Sequence, residues 1–337
     1  MSKILQIPSK IIESILKKRN EGFDNGTIPV YKSNKLVISI GNLTFGGSGK
    51  TPLAITLASE LIQRGIKPGI IGRGYKRTML DTNIVCDGKN IVGDWRVAGD
   101  EMFLIAQKLS IPAVVHKKKH QAAKIIEQFN IEVTILDDGF QHRYLVRDID
   151  LVIIDEKTIE KPFVSPGGAL REPPESLKRA DFILAQENLD IPDTFMQYIK
   201  RQPLRFNISA DRIYNLSTNE TQNIAKRHMI AFCGIANPVR FKNSLQKEGI
   251  EIVLFRSFGD HHDYQQNDLK SLLKEARKLQ INTFITTEKD AVKLVNYSQY
   301  LKSNNMELLV LPIVLTISDG KELLFDMIDK KLKELEG

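Results

Sequence analysis

The sequence has few of the residues that build disulfide scaffolds or metal knuckles. Its 337 residues include only two cysteines, Cys86 and Cys233, which lie far apart and each stand alone. A disulfide framework or a zinc knuckle needs more cysteines at closer spacing, so both classes are excluded. A reducing compartment is therefore expected.

Long apolar runs and aromatic–basic interleaving are also missing. No segment approaches the roughly 18 uninterrupted apolar residues of a membrane-spanning helix, and the first residues lack the pattern of a secretory signal. Aromatic residues make up 7%, and no stretch alternates them with Lys and Arg as single-strand binders do. A nucleic-acid partner is not expected, whereas the formal net charge of +7 suits an anionic ligand or an acidic membrane face.

The sequence does contain a regular alternation of short apolar runs and helical patterns. Near-continuous apolar strands, such as residues 36–40, separated by helices predict an α/β fold with a P-loop-type parallel sheet flanked by helices. The polar stretch 201–221 interrupts this alternation and is typical of a linker or hairpin. We therefore predict an N-terminal helix in residues 1–20, a nucleotide-binding domain in 21–205 and a second, smaller α/β domain in 206–337.

The first twenty residues combine an apolar stripe with surrounding cations. The apolar positions at helical spacing are Ile4, Ile7, Ile11, Ile12, Ile15 and Leu16, and the cations are Lys3, Lys10, Lys17, Lys18 and Arg19. Such a helix can lie in the plane of an anionic membrane surface. The alternative is a helix that packs on its own domain and keeps its lysines in solvent.

The strongest chemical signal follows the first predicted strand. Residues 44–51 read Thr-Phe-Gly-Gly-Ser-Gly-Lys-Thr and open a helix. The glycines let backbone amides converge on one anion, Lys50 can reach terminal phosphate oxygens, and the hydroxyl of Thr51 can bind Mg²⁺. A purely structural turn is the alternative, but the position between a strand and a helix disfavours it. The predicted ligands of the nucleotide phosphates are Thr44, Phe45, Gly46, Gly47, Ser48, Gly49, Lys50 and Thr51.

Two carboxylates follow the strand predicted at 133–136. An acidic residue at the end of a buried strand beside a phosphate loop commonly holds Mg²⁺. Alone, an Asp pair at this position is more often a turn or a helix cap. Together with the phosphate loop, Asp137 and Asp138 predict a magnesium site shared with Thr51, and the closer aspartate is left open.

Together these motifs resemble the tetraacyldisaccharide 4′-kinases, which phosphorylate a lipid A precursor. The resemblance extends in order from the phosphate loop to Leu294, and Thr44 in place of the usual first glycine is normal in that family. The matching stretches are 41–44, 46–52, 72–75, 99–101, 136–142, 166–173, 232–238, 260–262 and 286–292.

The resemblance implies a reaction and a base. ATP with Mg²⁺ would phosphorylate the 4′-hydroxyl of an acylated disaccharide 1-phosphate to give lipid IVA. An Asp–His pair is thought to activate the hydroxyl in this family, and it corresponds to Asp100 and His261, which lie in different predicted domains. Without the resemblance, Asp100 could simply cap the following helix, and His261 would be a solvent-exposed loop residue.

Further expectations follow from the resemblance. Candidate substrate contacts are Asn42, Arg73, Tyr75, His142 and Arg171. The basic run 117–120 can either face acidic lipid or be solvated. A monomer is expected, attached peripherally to the cytoplasmic face of the inner membrane through the N-terminal helix.

Two other functional classes remain compatible with the residues. A P-loop ATPase or switch protein acting on a partner at the membrane surface would hydrolyse nucleotide regardless of glycolipid, although no Asn-Lys-x-Asp guanine-reading motif is present. A membrane-surface module with a vestigial site would bind lipid without nucleotide.

Overall fold

The computed structural model describes residues 3–74, 83–222, 224 and 227–336. Within these ranges the strands are β1 (Leu36–Asn42), β2 (Pro68–Gly72), β3 (Asn83–Asp87), β4 (Pro112–Val115), β5 (Val133–Asp137), β6 (Ile149–Ile154), β7 (Phe182–Gln186), β8 (Leu204–Ala210), β9 (Tyr214–Asn215), β10 (His228–Cys233), β11 (Glu251–Ser257), β12 (Thr283–Thr287), β13 (Glu307–Leu311) and β14 (Ile313–Asp319). The α-helices are α1 (Lys3–Asp24), α2 (Lys50–Gln63), α3 (Trp95–Ala98), α4 (Asp100–Leu109), α5 (Lys119–Ile126), α6 (Glu156–Glu160), α7 (Asp193–Met196), α8 (Pro238–Lys247), α9 (Gln266–Leu279), α10 (Glu288–Leu294), α11 (Ser298–Ser303) and α12 (Lys321–Glu336).

A large, mostly parallel sheet organises the first part of the chain. Among the described residues its nine strands run in the order β14-β8-β7-β6-β1-β5-β2-β4-β3. The central strand β1 pairs in parallel with β5 and β6, and every residue of β1 and β5 is buried, as expected where helices cover both faces. Because β1 and β5 are parallel neighbours, the phosphate loop and the aspartate pair emerge at the same edge of the sheet.

A second, smaller sheet is built mainly from the later part of the chain. In the described ranges its five strands run in the order β11-β10-β12-β13-β9. All its pairings are parallel except that of β9 with β13. One of its faces buries Phe232 and Phe284 together with Leu269 and Leu272 of α9, which form the apolar face of that helix. The predicted α/β architecture with a second, smaller sheet is confirmed.

The end of the chain departs from the predicted boundary at residue 206. Strand β14 pairs antiparallel with β8 in the large sheet, and α12 buries Leu324, Phe325 and Ile328 in the core of that sheet. The segment 201–221 is likewise not a hairpin, since it supplies β8 to one sheet and β9 to the other. An apolar segment shows that a strand will form but not which sheet it joins, because burial can be satisfied by either.

Helix α1 docks on the large-sheet body through a largely polar face. Ser9 is buried and its hydroxyl accepts a hydrogen bond from the amide of Gly167 at 2.7 Å. Arg19 donates to the fully buried carboxylate of Glu172 at 3.0 Å, so this predicted surface cation points into the protein. In the described ranges, no helix combines the length and the apolar character needed to cross a membrane.

Candidate active site

A cavity of about 660 Å³ is lined by residues from both sheet-containing parts of the chain. Its walls come from the phosphate loop, the start of α2, the end of β5, α4, α8, the start of α10 and the loop before α9. The structure thus brings together residues from distant parts of the chain. The predicted site residues that line the cavity are Phe45, Gly46, Gly47, Ser48, Gly49, Lys50, Thr51, Arg73, Asp137, Asp138, Arg171 and His261.

The phosphate loop turns on two glycines with left-handed backbone conformation. Gly46 has φ 111° and Gly49 has φ 102°, a region that side chains with a Cβ rarely adopt. Gly49 precedes the first residue of α2, so the loop presents the amino end of that helix to the cavity. Unpaired amides and the helix dipole make such an end an anion site.

Lys50 is held at this end by residues on both neighbouring strands. Its ammonium donates to Oδ1 of Asn42 at 3.0 Å and lies 3.4 Å from Oδ1 of Asp138. The side-chain amide of Asn42 donates to the hydroxyl of Thr44 at 3.0 Å. This hydroxyl in turn donates to the carboxylate of Asp155 at 3.1 Å. Asn42 and Thr44 are fully buried beneath the loop, so they support it rather than line the cavity.

Asp138 is the acidic residue next to Lys50 and the phosphate loop. Arg171 donates to both of its carboxylate oxygens, at 2.9 and 2.7 Å, in the bidentate geometry that a guanidinium favours. Burial opposes the charged form, but Lys50, Lys119 and Arg171 outweigh it and hold the pKa of Asp138 well below its usual range. Asp138 is therefore an anion at neutral pH.

Asp137 stands in a different electrostatic environment. Burial, followed by the like charges of Glu101 and Asp138, raises the pKa of Asp137 to about 7. Two adjacent carboxylates and the Thr51 hydroxyl are hard oxygen donors of the kind that Mg²⁺ prefers. Since a divalent cation would offset the repulsion between these carboxylates, the residues present fit such an ion.

Lys119 is a buried support of the aspartate pair that the sequence did not single out. Its ammonium donates to the backbone carbonyls of Asp137 at 2.8 Å and Asp138 at 2.6 Å, and only 6% of the residue is exposed. Burial lowers the pKa of Lys119, although the two carboxylates oppose this effect. The run 117–120 is therefore not uniformly solvated, because α5 begins at Lys119 and turns this side chain inward.

His261, in the loop before α9, contacts Asp100, at the start of α4, although 161 positions separate them in the sequence. Nδ1 of His261 lies 2.8 Å from Oδ2 and 3.0 Å from Oδ1 of Asp100. Burial opposes ionisation, but the hydrogen bond from His261 and the charges of Lys289 and Lys293 keep the pKa of Asp100 below its usual value. Oδ1 also accepts the amide of Glu101 at 2.9 Å, but α4 begins at Asp100 with Gly99 as its N-cap, so Asp100 is not simply a helix cap.

Two lysines of α10 surround this pair. Lys289 lies 3.3 Å from Nε2 of His261 and 3.0 Å from Oε1 of Glu101. Lys293 is buried, 2.9 Å from Asp290 and 3.7 Å from Asp100. Neither lysine was predicted as a site residue. Lys289 belongs to the matching stretch 286–292, and Lys293 follows it directly.

The remaining predicted substrate residues have different positions. His142 lies beside His120, with 5.9 Å between ring centroids, and is not part of the cavity wall described above. Burial, followed by the charge of Lys119, lowers the pKa of His142 to about 3, so this ring is neutral at physiological pH. Arg73 lines the cavity, and Tyr75 lies outside the described residues.

Comparison with known proteins identifies similar chains. A family model described as tetraacyldisaccharide-1-P 4′-kinase (LpxK) matches residues 1–333. The tetraacyldisaccharide 4′-kinase of Desulfotalea psychrophila is 35% identical over 306 residues, covering 87% of this chain and 88% of the relative. That of Halothermothrix orenii is 36% identical over 320 residues, covering 86% and 82%. The crystal structure of LpxK from Aquifex aeolicus in complex with ATP is 28% identical, covers 96% of each chain and superposes with a TM-score of 0.78.

Proposed function

The chain belongs to the tetraacyldisaccharide 4′-kinase family, and we propose that its cavity transfers the γ-phosphoryl group of ATP to the 4′-hydroxyl of a tetraacyldisaccharide 1-phosphate. It is thus a phosphotransferase of lipid A biosynthesis. The observation that supports this site is that the phosphate loop and His261, which is paired with Asp100, line one cavity. A phosphate cradle alone fits an ATPase equally well, whereas the histidine supplies a base for a hydroxyl acceptor.

The proposed transfer needs one proton acceptor and one phosphate clamp. The 4′-oxygen attacks the γ-phosphorus while its proton passes to Nε2 of His261. The bond between the γ-phosphorus and the bridging oxygen breaks, and ADP leaves. Asp100 accepts the Nδ1–H of His261 and stabilises the imidazolium that forms. Lys50 and the amides of the loop stabilise the charge on the transferring group.

Magnesium belongs to the same proposal. Asp137, Asp138 and Thr51 would hold the ion, which would supply charge neutralisation to the phosphates. Arg171 keeps one carboxylate of this set oriented through its bidentate contact with Asp138.

The substrate assignment predicts a defined product. Purified protein incubated with ATP, Mg²⁺ and the acylated disaccharide 1-phosphate should yield a glycolipid heavier by one phosphoryl group, detected by mass spectrometry. Tandem fragmentation should place the new group on the 4′ position. Nucleotide hydrolysis that is unaffected by glycolipid, with no phosphorylated lipid, would instead support the ATPase or switch alternative. Lipid binding without measurable ATP affinity would support a vestigial site.

We also propose that α1 attaches the enzyme peripherally to an anionic cytoplasmic membrane face. Its side opposite the docked polar residues exposes Ile7, Ile11 and Ile15 by 67, 56 and 62%. Lys10 and Lys18 are exposed on the same helix. An exposed apolar row bordered by cations matches an interfacial helix, and it would bring the active site to an acylated substrate that resides in the bilayer.

A charge-matched pair of variants tests this attachment. Ile15→Asp removes an apolar anchor and adds a negative charge, whereas Ser14→Asp adds the same charge at the neighbouring exposed position. Burial of one isoleucine contributes about 1.5–3 kcal/mol, so Ile15→Asp should weaken partitioning to anionic vesicles roughly tenfold more than Ser14→Asp. Vesicle flotation measures both. Equal partitioning of the two variants would contradict attachment through the isoleucine row.

A further inference from the structure

The ring of His261 is contacted on both of its nitrogens. Nδ1 faces the carboxylate of Asp100 at 2.8 Å, and Nε2 faces the ammonium of Lys289 at 3.3 Å. The base proposed above uses Nε2, so a cation occupies the position that the sugar hydroxyl must take. The role of Lys289 therefore bears directly on the reaction.

The two contacts specify one tautomer of the ring. An ammonium has only donors, so a hydrogen bond from Lys289 requires an unprotonated Nε2. An ionised carboxylate has only acceptors, so Asp100 requires a proton on Nδ1. Each partner selects the same neutral form, in which the Nε2 lone pair is available to accept the proton of the hydroxyl.

Both carboxylates and ammonium groups lie close to the ring, and both kinds of charge are found near Nε2. Helix α4 contributes Asp100 and Glu101, and the loop before α9 contributes Asp260, with Oδ2 3.7 Å from Nε2 of His261. Helix α10 contributes Lys289 and the buried Lys293, which lies 3.7 Å from Asp100. Carboxylates favour the imidazolium, whereas an ammonium at Nε2 disfavours it.

Lys289 itself is held in place and charged. Glu101 binds its ammonium at 3.0 Å, and Asp260 lies 4.0 Å away. Burial opposes the charge, but Glu101, Asp100 and Asp260 raise the pKa of Lys289 above its ordinary value. These carboxylates can retain the ammonium when it leaves Nε2.

We propose that Lys289 is a positioning residue. Its ammonium keeps Nε2 of His261 unprotonated and directed into the cavity until the acceptor hydroxyl takes the place of the ammonium. The proposal rests on the assignment of His261 as the base in the proposed function. When the hydroxyl displaces the ammonium of Lys289 from Nε2, the ammonium stays bound to Glu101. Lys289 takes part in no covalent step.

The pH profile of kcat/KM for the glycolipid separates this role from a structural one. Lys289→Met keeps the length of the side chain without its charge, and Lys289→Arg keeps the charge. Without the cation the imidazolium is favoured, so the acid limb of the Lys289→Met profile should move upward by about one pH unit. On that limb kcat/KM should then fall roughly tenfold, while kcat/KM near pH 9 stays within about threefold of wild type. Lys289→Arg should keep the wild-type limb.

A second measurement is independent of turnover. Nitrogen-15 NMR of histidine-labelled protein, with the His261 signal assigned by its loss in His261→Asn, should show the proton on Nδ1 in the wild type at neutral pH. In Lys289→Met the signal should shift toward the doubly protonated form on acidification earlier than in the wild type. A wild-type proton on Nε2, or a Lys289→Met rate reduced equally at all pH values, would overturn the proposal. Failure of wild-type transfer with the expected tautomer present would reject the proposed function instead.

Discussion

Replacing Asp100 with asparagine is expected to lower kcat by about 10²- to 10⁴-fold, the range that a positioned acid–base pair contributes. The carboxylate accepts the Nδ1 proton of His261 at 2.8 Å and is almost completely buried. Asparagine has nearly the same shape, but its amide can donate to Nδ1 and so favour the wrong tautomer. It also removes the negative charge that stabilises the imidazolium as the hydroxyl loses its proton.

Steady-state transfer assays with saturating ATP and glycolipid measure this effect, with thermal unfolding to check the fold. Asp263→Asn is a matched control, since Asp263 belongs to the same loop as His261 and, among the described residues, its carboxylate pairs with Arg96 at 3.7 Å in an exposed position. Exposed pairs contribute about 0–1 kcal/mol, so this control should keep kcat within about twofold of wild type. Wild-type turnover in a folded Asp100→Asn protein would remove Asp100 from the mechanism.

Replacing Lys50 with alanine is expected to lower kcat by roughly 10²- to 10³-fold, as for loss of one preorganised donor to a charged transition state. Asn42 and Asp138 hold the ammonium at the amino end of α2, where it faces the cavity. Charge shifts toward the β–γ bridging oxygen as the bond breaks, so Lys50 interacts more strongly in the transition state than in the ground state.

Lys157 of α6 contacts the same loop from outside and offers a control. Its ammonium donates to the carbonyl of Phe45 at 2.7 Å from an exposed position, outside the pocket that holds Lys50. Lys157→Ala should reduce kcat by less than about tenfold, because an exposed hydrogen bond that only supports the loop contributes about 0.5–1.5 kcal/mol. Single-turnover transfer rates at saturating nucleotide distinguish the two variants. A larger loss in Lys157→Ala than in Lys50→Ala would contradict the placement of the phosphates at Lys50.

The large sheet was predictable because its central strands are continuous apolar runs between helical patterns. Because β1 and β5 pair in parallel, their carboxyl ends lie at the same edge of the sheet, which explains why Lys50 and Asp138 meet. The return of β14 to that sheet was not predictable. Its apolar residues satisfy burial in either sheet, and only long-range pairing with β8 decides between them.

Within the candidate site, a local motif predicted the phosphate loop, whereas the contacts between distant residues could not be predicted from local patterns. The pairing of Asp100 with His261 came from the family resemblance, because no periodicity links residues 161 positions apart. Lys119 was indistinguishable from its exposed neighbours in a basic run, although its ammonium is turned inward to two carbonyls. A sequence run does not reveal which of several lysines is buried, since that depends on how the helix docks.

The proposed transfer requires that the phosphate loop and the base His261 meet at the same γ-phosphoryl group. Its most direct test is a structure of the protein with a non-hydrolysable ATP analogue, Mg²⁺ and the acylated disaccharide 1-phosphate. We expect the γ-phosphate at Lys50, and the 4′-oxygen within about 3.2 Å of Nε2 of His261, the reach of a general base. Binding of the analogue away from residues 44–51, or a 4′-oxygen separated from His261 by another part of the protein, would contradict it.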